Sequence, residues 1–262
     1  MFFYNLCSSS RGNSSFLGDF SGGILFDVGI GIRNFAKALS YAEIAPEKIQ
    51  AIFVSHEHTD HVQGLKAISH RYNIPIYGSR GTLESLVQSG ILTGNEPINV
   101  LDSPVEAGGF LVTPFATPHD SAESIGFHID SPAGKSIAIC TDLGYASETV
   151  MQGISGCDFV MLESNYDRKM LLNGEYPPFL KQRVNSRSGH LSNEQCAQML
   201  EQLISSGTTQ AVLAHLSEHN NRPELAHTYS ADYLAQRGIQ ENIDYQIDVL
   251  PRFTVGRRYE IA

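Results

Sequence analysis

His56-Glu57-His58-Thr59-Asp60-His61 is the stretch that decides how this chain is read. Four candidate ligands, His56, His58, Asp60 and His61, three of them imidazoles, fall within six positions. The preceding Ala51-Ile52-Phe53-Val54-Ser55 is an apolar run of strand length and predicts a buried strand. The polar cluster therefore stands in a loop at a strand end. His56 and His58 alternate about Glu57, so both imidazoles can face one ion, while Asp60 and His61 offer a carboxylate and an imidazole to a second. Val62 to Tyr72 reads as a helix and braces the loop from its other side, with His70 a charge near the helix end.

Toward the amino terminus, Phe2 to Cys7 reads as a strand. Ser8 to Ser14 is a turn-rich polar loop whose backbone N–H groups suit an anion, which makes Ser10, Gly12 and Asn13 candidate substrate contacts. Ser15 to Phe20 and Gly23 to Val28 form a predicted hairpin about Ser21-Gly22. Asp27 closes the second of these strands inside an apolar run. A buried carboxylate needs a partner, either a backbone donor or a metal-bound imidazole that it orients. Ile32 to Ile44 has the spacing of an amphipathic helix.

Toward the carboxyl terminus the predicted strands are Ile74 to Tyr77, Ile98 to Leu101, Phe110 to Phe115, Ser124 to Asp130, Ser136 to Cys140, Asp158 to Glu163 and Gln210 to Ala214, with a helix over Thr82 to Gln88. Three of the strands deliver a further candidate ligand. Thr117-Pro118-His119-Asp120 places His119 between two strands, and Thr141-Asp142-Leu143-Gly144 places a carboxylate that can bridge two cations or serve as a plain turn residue. His215 follows Ala214 directly. Ser192, three residues before Gln195, is a capping box that opens a helix running to about Ser205. His190, just before that cap and near Arg187, is placed to contact a phosphate rather than a metal, and Arg187 joins it as a substrate contact. His128 inside a strand reads as structural, and His219 and His227 need no chemical role.

The chain has 262 residues and is 42% apolar, which predicts one domain over 1–262 with a substantial core. No stretch approaches the roughly 18 consecutive apolar residues of a membrane span, and no basic region leads into an apolar leader, so a cytoplasmic protein without a membrane partner is expected. Cys7, Cys140, Cys157 and Cys196 are widely spaced and read as reduced thiols. The net charge of −10 argues against a surface broadly attractive to nucleic acid. A local exception runs from Asn165 to His190, where Arg168, Lys169, Lys181, Arg183 and Arg187 stand against Asp167 and Glu175.

With the His-x-His-x-Asp-His loop at 56–61, then His119, Asp142 and His215 in order, the chain resembles the metallo-β-lactamase fold superfamily. The resemblance implies an αββα sandwich of two mixed sheets flanked by helices. It also implies that His56, His58 and His119 hold one divalent ion and Asp60, His61 and His215 another, with Asp142 bridging. Asp142, where the zinc β-lactamases proper carry cysteine, points to a dinuclear hydrolase rather than an antibiotic-degrading enzyme. Ser188-Gly189-His190 with Ser192 and Glu194 looks like the segment of ribonuclease J-type nucleases whose histidine contacts the scissile phosphate, but the 48 positions from Asp142 to His190 leave no room for an inserted β-CASP domain.

Ser9 to Ser14, Ser55 to His58, Glu163 to Asp167, Gly189 to Ser192 and Ala214 to Asn221 are most similar to the WalJ (YycJ) branch, which commonly has histidine where this chain has Tyr166. That branch implies a 5′-to-3′ exonuclease acting on double-stranded DNA. The expected chemistry is phosphodiester hydrolysis by a hydroxide held between two metal ions, with Asp60 and His190 as catalytic groups. Imidazoles with carboxylates suit zinc or manganese, and also iron. The alternatives are a small-molecule phosphodiesterase or thioester hydrolase on the same fold, or a non-catalytic metal-binding regulatory protein.

Overall fold

Apolar runs broken by short polar connections give strands, and the computed structural model, which describes residues 1–252 and 254–261, sorts them into two sheets. The first sheet takes β1 (Phe2–Ser9), β2 (Gly12–Asp19), β3 (Gly22–Phe26), β4 (Ile49–Val54), β5 (Ile76–Gly78) and β6 (Ile98–Val100). The second takes β7 (Val105–Ala107), β8 (Phe110–Ala116), β9 (Ile125–Asp130), β10 (Ser136–Cys140), β11 (Phe159–Glu163), β12 (Gln210–Ala214) and β13 (Gln246–Val249). β14 (Arg258–Glu260) returns to the first sheet, antiparallel to β1.

Each sheet changes character part-way across. β1, β2 and β3 are antiparallel, whereas β3 to β6 run parallel. Likewise β7 to β10 are antiparallel and β10 to β13 parallel. Parallel neighbours need long crossovers, and the helices supply them. In the first sheet these are α1 (Ile32–Tyr41), α2 (Thr59–Val62), α3 (Leu65–Tyr72) and α4 (Arg80–Gln88); in the second, α5 (Glu148–Ile154), α6 (Arg168–Asn173), α7 (Pro178–Val184), α8 (Asn193–Ser205) and α9 (Pro223–Ala235).

Side-chain alternation along the strands then separates three cores. On β4, Ile52 and Val54 pack toward Phe35, Leu39, Leu65 and Ile68 of the helices, while Ala51 and Phe53 join the core shared by the two sheets. Phe26, Phe53 and Phe127 meet there, with ring centroids 5.1–5.9 Å apart. The third core lies between the second sheet and α5, α8 and α9. The order of layers is helices, sheet, sheet, helices, the αββα sandwich expected from the sequence. Among the described residues no helix is long and apolar enough to cross a membrane, and the four cysteines are free thiols.

Two local expectations are corrected. Ser8 to Ser14 is not a loop: β1 runs to Ser9, β2 starts at Gly12, and a two-residue turn joins them. Outside the exposed turn of Ser10 and Arg11, the polar residues that suggested a loop are buried, with Asn13 Nδ2 donating to the Ser9 carbonyl at 3.0 Å and Ser14 Oγ to the Asp27 carbonyl at 2.9 Å. The predicted helix Val62 to Tyr72 is two pieces, and Asp60 and His61 lie on α2 itself. The break falls at Gly64, whose N–H donates to the Val28 carbonyl and where a Cβ would overlap the backbone of Ile30.

Candidate metal centre

The carboxyl ends of β3, β4, β10 and β12 deliver Asp27, His56, Asp142 and His215 to one place, and the loop after β8 adds His119. Asp27, Asp142 and His215 each follow their strands with a left-handed backbone, φ 58°, 58° and 54°. For residues with a Cβ this conformation is costly and tends to persist where function demands it.

The imidazoles share an orientation. His61 Nδ1 donates to Asp27 Oδ2 at 2.7 Å, His215 Nδ1 to Glu163 Oε1 at 2.9 Å and His119 Nδ1 to the Gly189 carbonyl at 3.1 Å; His56 Nδ1 is 3.0 Å from Ser55 Oγ. With Nδ1 engaged, Nε2 is left for the shared space, the pattern by which proteins orient histidine ligands. His58 differs, presenting Nδ1 at 3.2 Å from His119 Nε2. Ligand atoms within 4.8 Å of one another form the sets His56–His58–His119, Asp60–His61–His215, His56–His61–Asp142 and Asp142–Glu163–His190–His215. All seven expected ligands are thereby brought together.

These residues fit divalent cations. Among the described residues His56 Nε2, His215 Nε2 and Asp142 Oδ2 are buried without a hydrogen-bond partner, a costly condition that coordination relieves. Electrostatics agree. Burial works against a charged His215, yet Asp142, Asp60 and Glu163 carry its pKa up to about 10. His61 is likewise raised well above the ordinary range against burial, by Asp142, Asp27 and Asp60. Burial and then the neighbouring His61 push His56 well below it. Buried carboxylates thus draw positive charge into a site that water does not screen.

Glu163, last residue of β11 and fully buried, was not among the residues singled out from sequence as a functional group. Its Oε1 accepts from His215 Nδ1 and also from His190 Nδ1 at 2.8 Å, and its Oε2 accepts from the Leu143 and Leu191 N–H groups, both at 3.0 Å. Burial pushes this carboxyl up, and His190 and His215 more than offset that, so its pKa falls below the ordinary value. The signal that finds it is the one that marked Asp27, a carboxylate closing an otherwise apolar strand. His190 sits at the rim, its ring centroid 5.2 Å from His119 and 5.3 Å from His215.

The expected substrate contacts are dispersed. Asn13 Nδ2 lies 3.2 Å from Asp60 Oδ2 and 3.0 Å from His61 Nε2, inside the centre. Gly12 is buried against Gly29 and Ile30, a packing position, while Ser10 is exposed on the β1–β2 turn. Arg187 lays its guanidinium over the Tyr145 ring, 4.0 Å from the centroid.

The family described as the beta-lactamase superfamily domain matches residues 23–216, from β3 through the residue after His215. The chain belongs to the β-lactamase superfamily. Among superfamily relatives, exodeoxyribonuclease WalJ of Streptococcus pneumoniae is 30% identical over 246 residues, covering 92% of this chain and 91% of its own. Exodeoxyribonuclease YycJ of Bacillus anthracis is 31% identical over 258 residues, covering 97% of each chain. The crystal structure of the metallo-β-lactamase fold protein YhfI from Bacillus subtilis shares the fold, with a TM-score of 0.73 at 16% identity over 99% of both chains. Relatives of this kind and the gathered imidazoles and carboxylates make the chain a metallohydrolase of the superfamily.

The superfamily centre does not include Tyr166. Its ring is buried with Leu171 and Val184 beneath α6 and α7, and its hydroxyl donates to Asn185 Oδ1 at 2.7 Å. Burial raises its pKa to about 12, so it stays neutral.

Proposed function

We propose that this chain hydrolyses DNA phosphodiester bonds as a 5′-to-3′ exonuclease on duplexes, with two divalent ions, zinc or manganese. The observation that carries the reading is His190, an imidazole at the rim that neither three-histidine nor Asp60-containing ligand set requires, held by a buried carboxylate shared with a ligand. The names of the WalJ and YycJ relatives support DNA as the substrate, and the resemblance of the motifs supports the polarity.

In this reading His56, His58 and His119 hold one ion, Asp60, His61 and His215 the other, and Asp142 lies between them. Bound divalent ions would lower the pKa of coordinated water toward about 7 and neutralise phosphoryl oxygens. Asp27, Ser55, Glu163 and the Gly189 carbonyl keep the imidazoles aimed before substrate arrives. Glu163 holds His190 through Nδ1, which leaves Nε2 for the phosphate, to stabilise developing negative charge or supply the leaving oxygen's proton. Asp60, bonded by Asn13, assists proton transfer.

The test is hydrolysis of end-labelled duplex DNA beside bis(p-nitrophenyl) phosphate and a thioester, with manganese or zinc and with His58→Ala as control. The expected outcome is metal-dependent loss of nucleotides from the 5′ end, absent in the variant, with duplex binding that weakens steeply as salt rises. Turnover of only the small phosphodiester or the thioester would sink the DNA reading, and no turnover with two ions bound would leave a regulatory protein.

A further inference from the structure

The inner and outer faces of α6 and α7 contrast. Inward, Leu171 and Val184 pack with Tyr166, joined by Tyr176 and Leu180. Outward, Phe179 is 72% exposed and Leu172 59%, among the largest apolar exposures in the described residues. Isolated exposed apolar residues are ordinary, but these stand in a segment, 168–187, that carries five cationic side chains against the single carboxylate of Glu175. The whole chain is at −10. An aromatic ring among cations matches a base face flanked by phosphates, and the wider acidic surface would repel DNA elsewhere.

The segment is also tied to the metal centre. Phe179 and Arg183 are four residues apart and share a helix face, about one turn from each other. Arg183 donates from Nε and Nη2 to Asp120 at 2.6 and 3.1 Å, next to His119. His190 N–H donates to the Val184 carbonyl and Asp120 N–H to that of Ser188, both at 3.0 Å. A ligand docked on this face therefore has a fixed position relative to His119 and His190.

We infer that α6 and α7 form the platform on which the end of a DNA duplex rests, with Phe179 stacked on the terminal base pair and Arg168, Lys169 and Arg187 along the flanking phosphates; this rests on the DNA reading above. Only at an end does a duplex offer a free base face, so an exposed ring selects ends where a purely basic surface would not.

The experiment compares hydrolysis of a linear duplex and of bis(p-nitrophenyl) phosphate by the metal-loaded wild type, Phe179→Ala and Phe179→Trp. Phe179→Ala is expected to raise KM for the duplex roughly tenfold, as loss of one base–aromatic stack does, with small-phosphodiester turnover unchanged and Phe179→Trp close to wild type. An unchanged duplex KM overturns the platform while leaving the exonuclease intact. Equal losses on both substrates, not restored by Phe179→Trp, overturn it as a packing defect. Loss of self-association in Phe179→Ala at unchanged KM assigns the face to a second copy of the chain. A wild type that turns over the small phosphodiester but no duplex removes the DNA reading and the platform together.

Discussion

Glu163 shows how much one carboxylate can organise. All its acceptor capacity is used by four donors, two imidazoles and two backbone N–H groups. Glu163→Gln keeps the shape but turns one end into a donor facing donors. Activity should fall roughly 10–100-fold, as when a partner that orients a metal ligand is lost. The unmatched buried donor should cost about 1–3 kcal/mol of stability. Turnover together with metal content by elemental analysis checks this, and turnover equal to wild type would show that neither imidazole depends on Glu163. The left-handed backbones of Asp27, Asp142 and His215 belong to the same scale, since each turns a side chain away from its strand's alternation and toward the centre.

Between the residue and the fold stand α6 and α7, too short to be stable alone. Both are seated by Tyr166, and α6 is capped at Asp167, whose side chain accepts from the Met170 N–H. Tyr166→Phe removes the bond to Asn185 and should lower stability by about 1 kcal/mol, roughly 2–4 °C in Tm. Metal content and small-phosphodiester turnover should not change. A drop in bound metal would place Tyr166 in the centre after all. The same elements explain why the cationic segment is not simply a free surface: Lys181 donates to the Leu172 carbonyl, Arg183 to Asp120, and Arg187 lies on Tyr145.

At the scale of the molecule, the metal centre is where both sheets converge, so the ions would couple strand ends from the two halves of the sandwich. Four carboxylates, Asp27, Asp60, Asp142 and Glu163, are wholly or largely buried there. Chelation should therefore lower Tm by on the order of 5–15 °C, the shift expected when a ligand held at hundreds of times its Kd is withdrawn. Restored zinc or manganese should reverse it. Calorimetry on the chelated and reloaded protein makes the check, and an unchanged Tm would mean the ions do not bridge the sheets.

The sequence by itself determined the candidate ligands and the strands that present them. Rare residue types crowded at 56–61 are a local pattern, and apolar runs ending just before His56, Asp142 and His215 mark strand ends without knowledge of pairing. Tertiary structure alone decided the rest. β7 and β14, which the sequence does not mark as strands, are three residues each, and so short a strand exists only through its neighbour's hydrogen bonds. Ser8 to Ser14 looked like a loop because burial of its polar groups is compensated by distant partners, among them the His215 N–H bonded to Ser8 Oγ at 2.9 Å. Glu163 acquires its place through His190 and His215, 27 and 52 positions away. Periodicity records which face of an element is apolar; the partner that satisfies a buried charge is chosen only when the chain has folded.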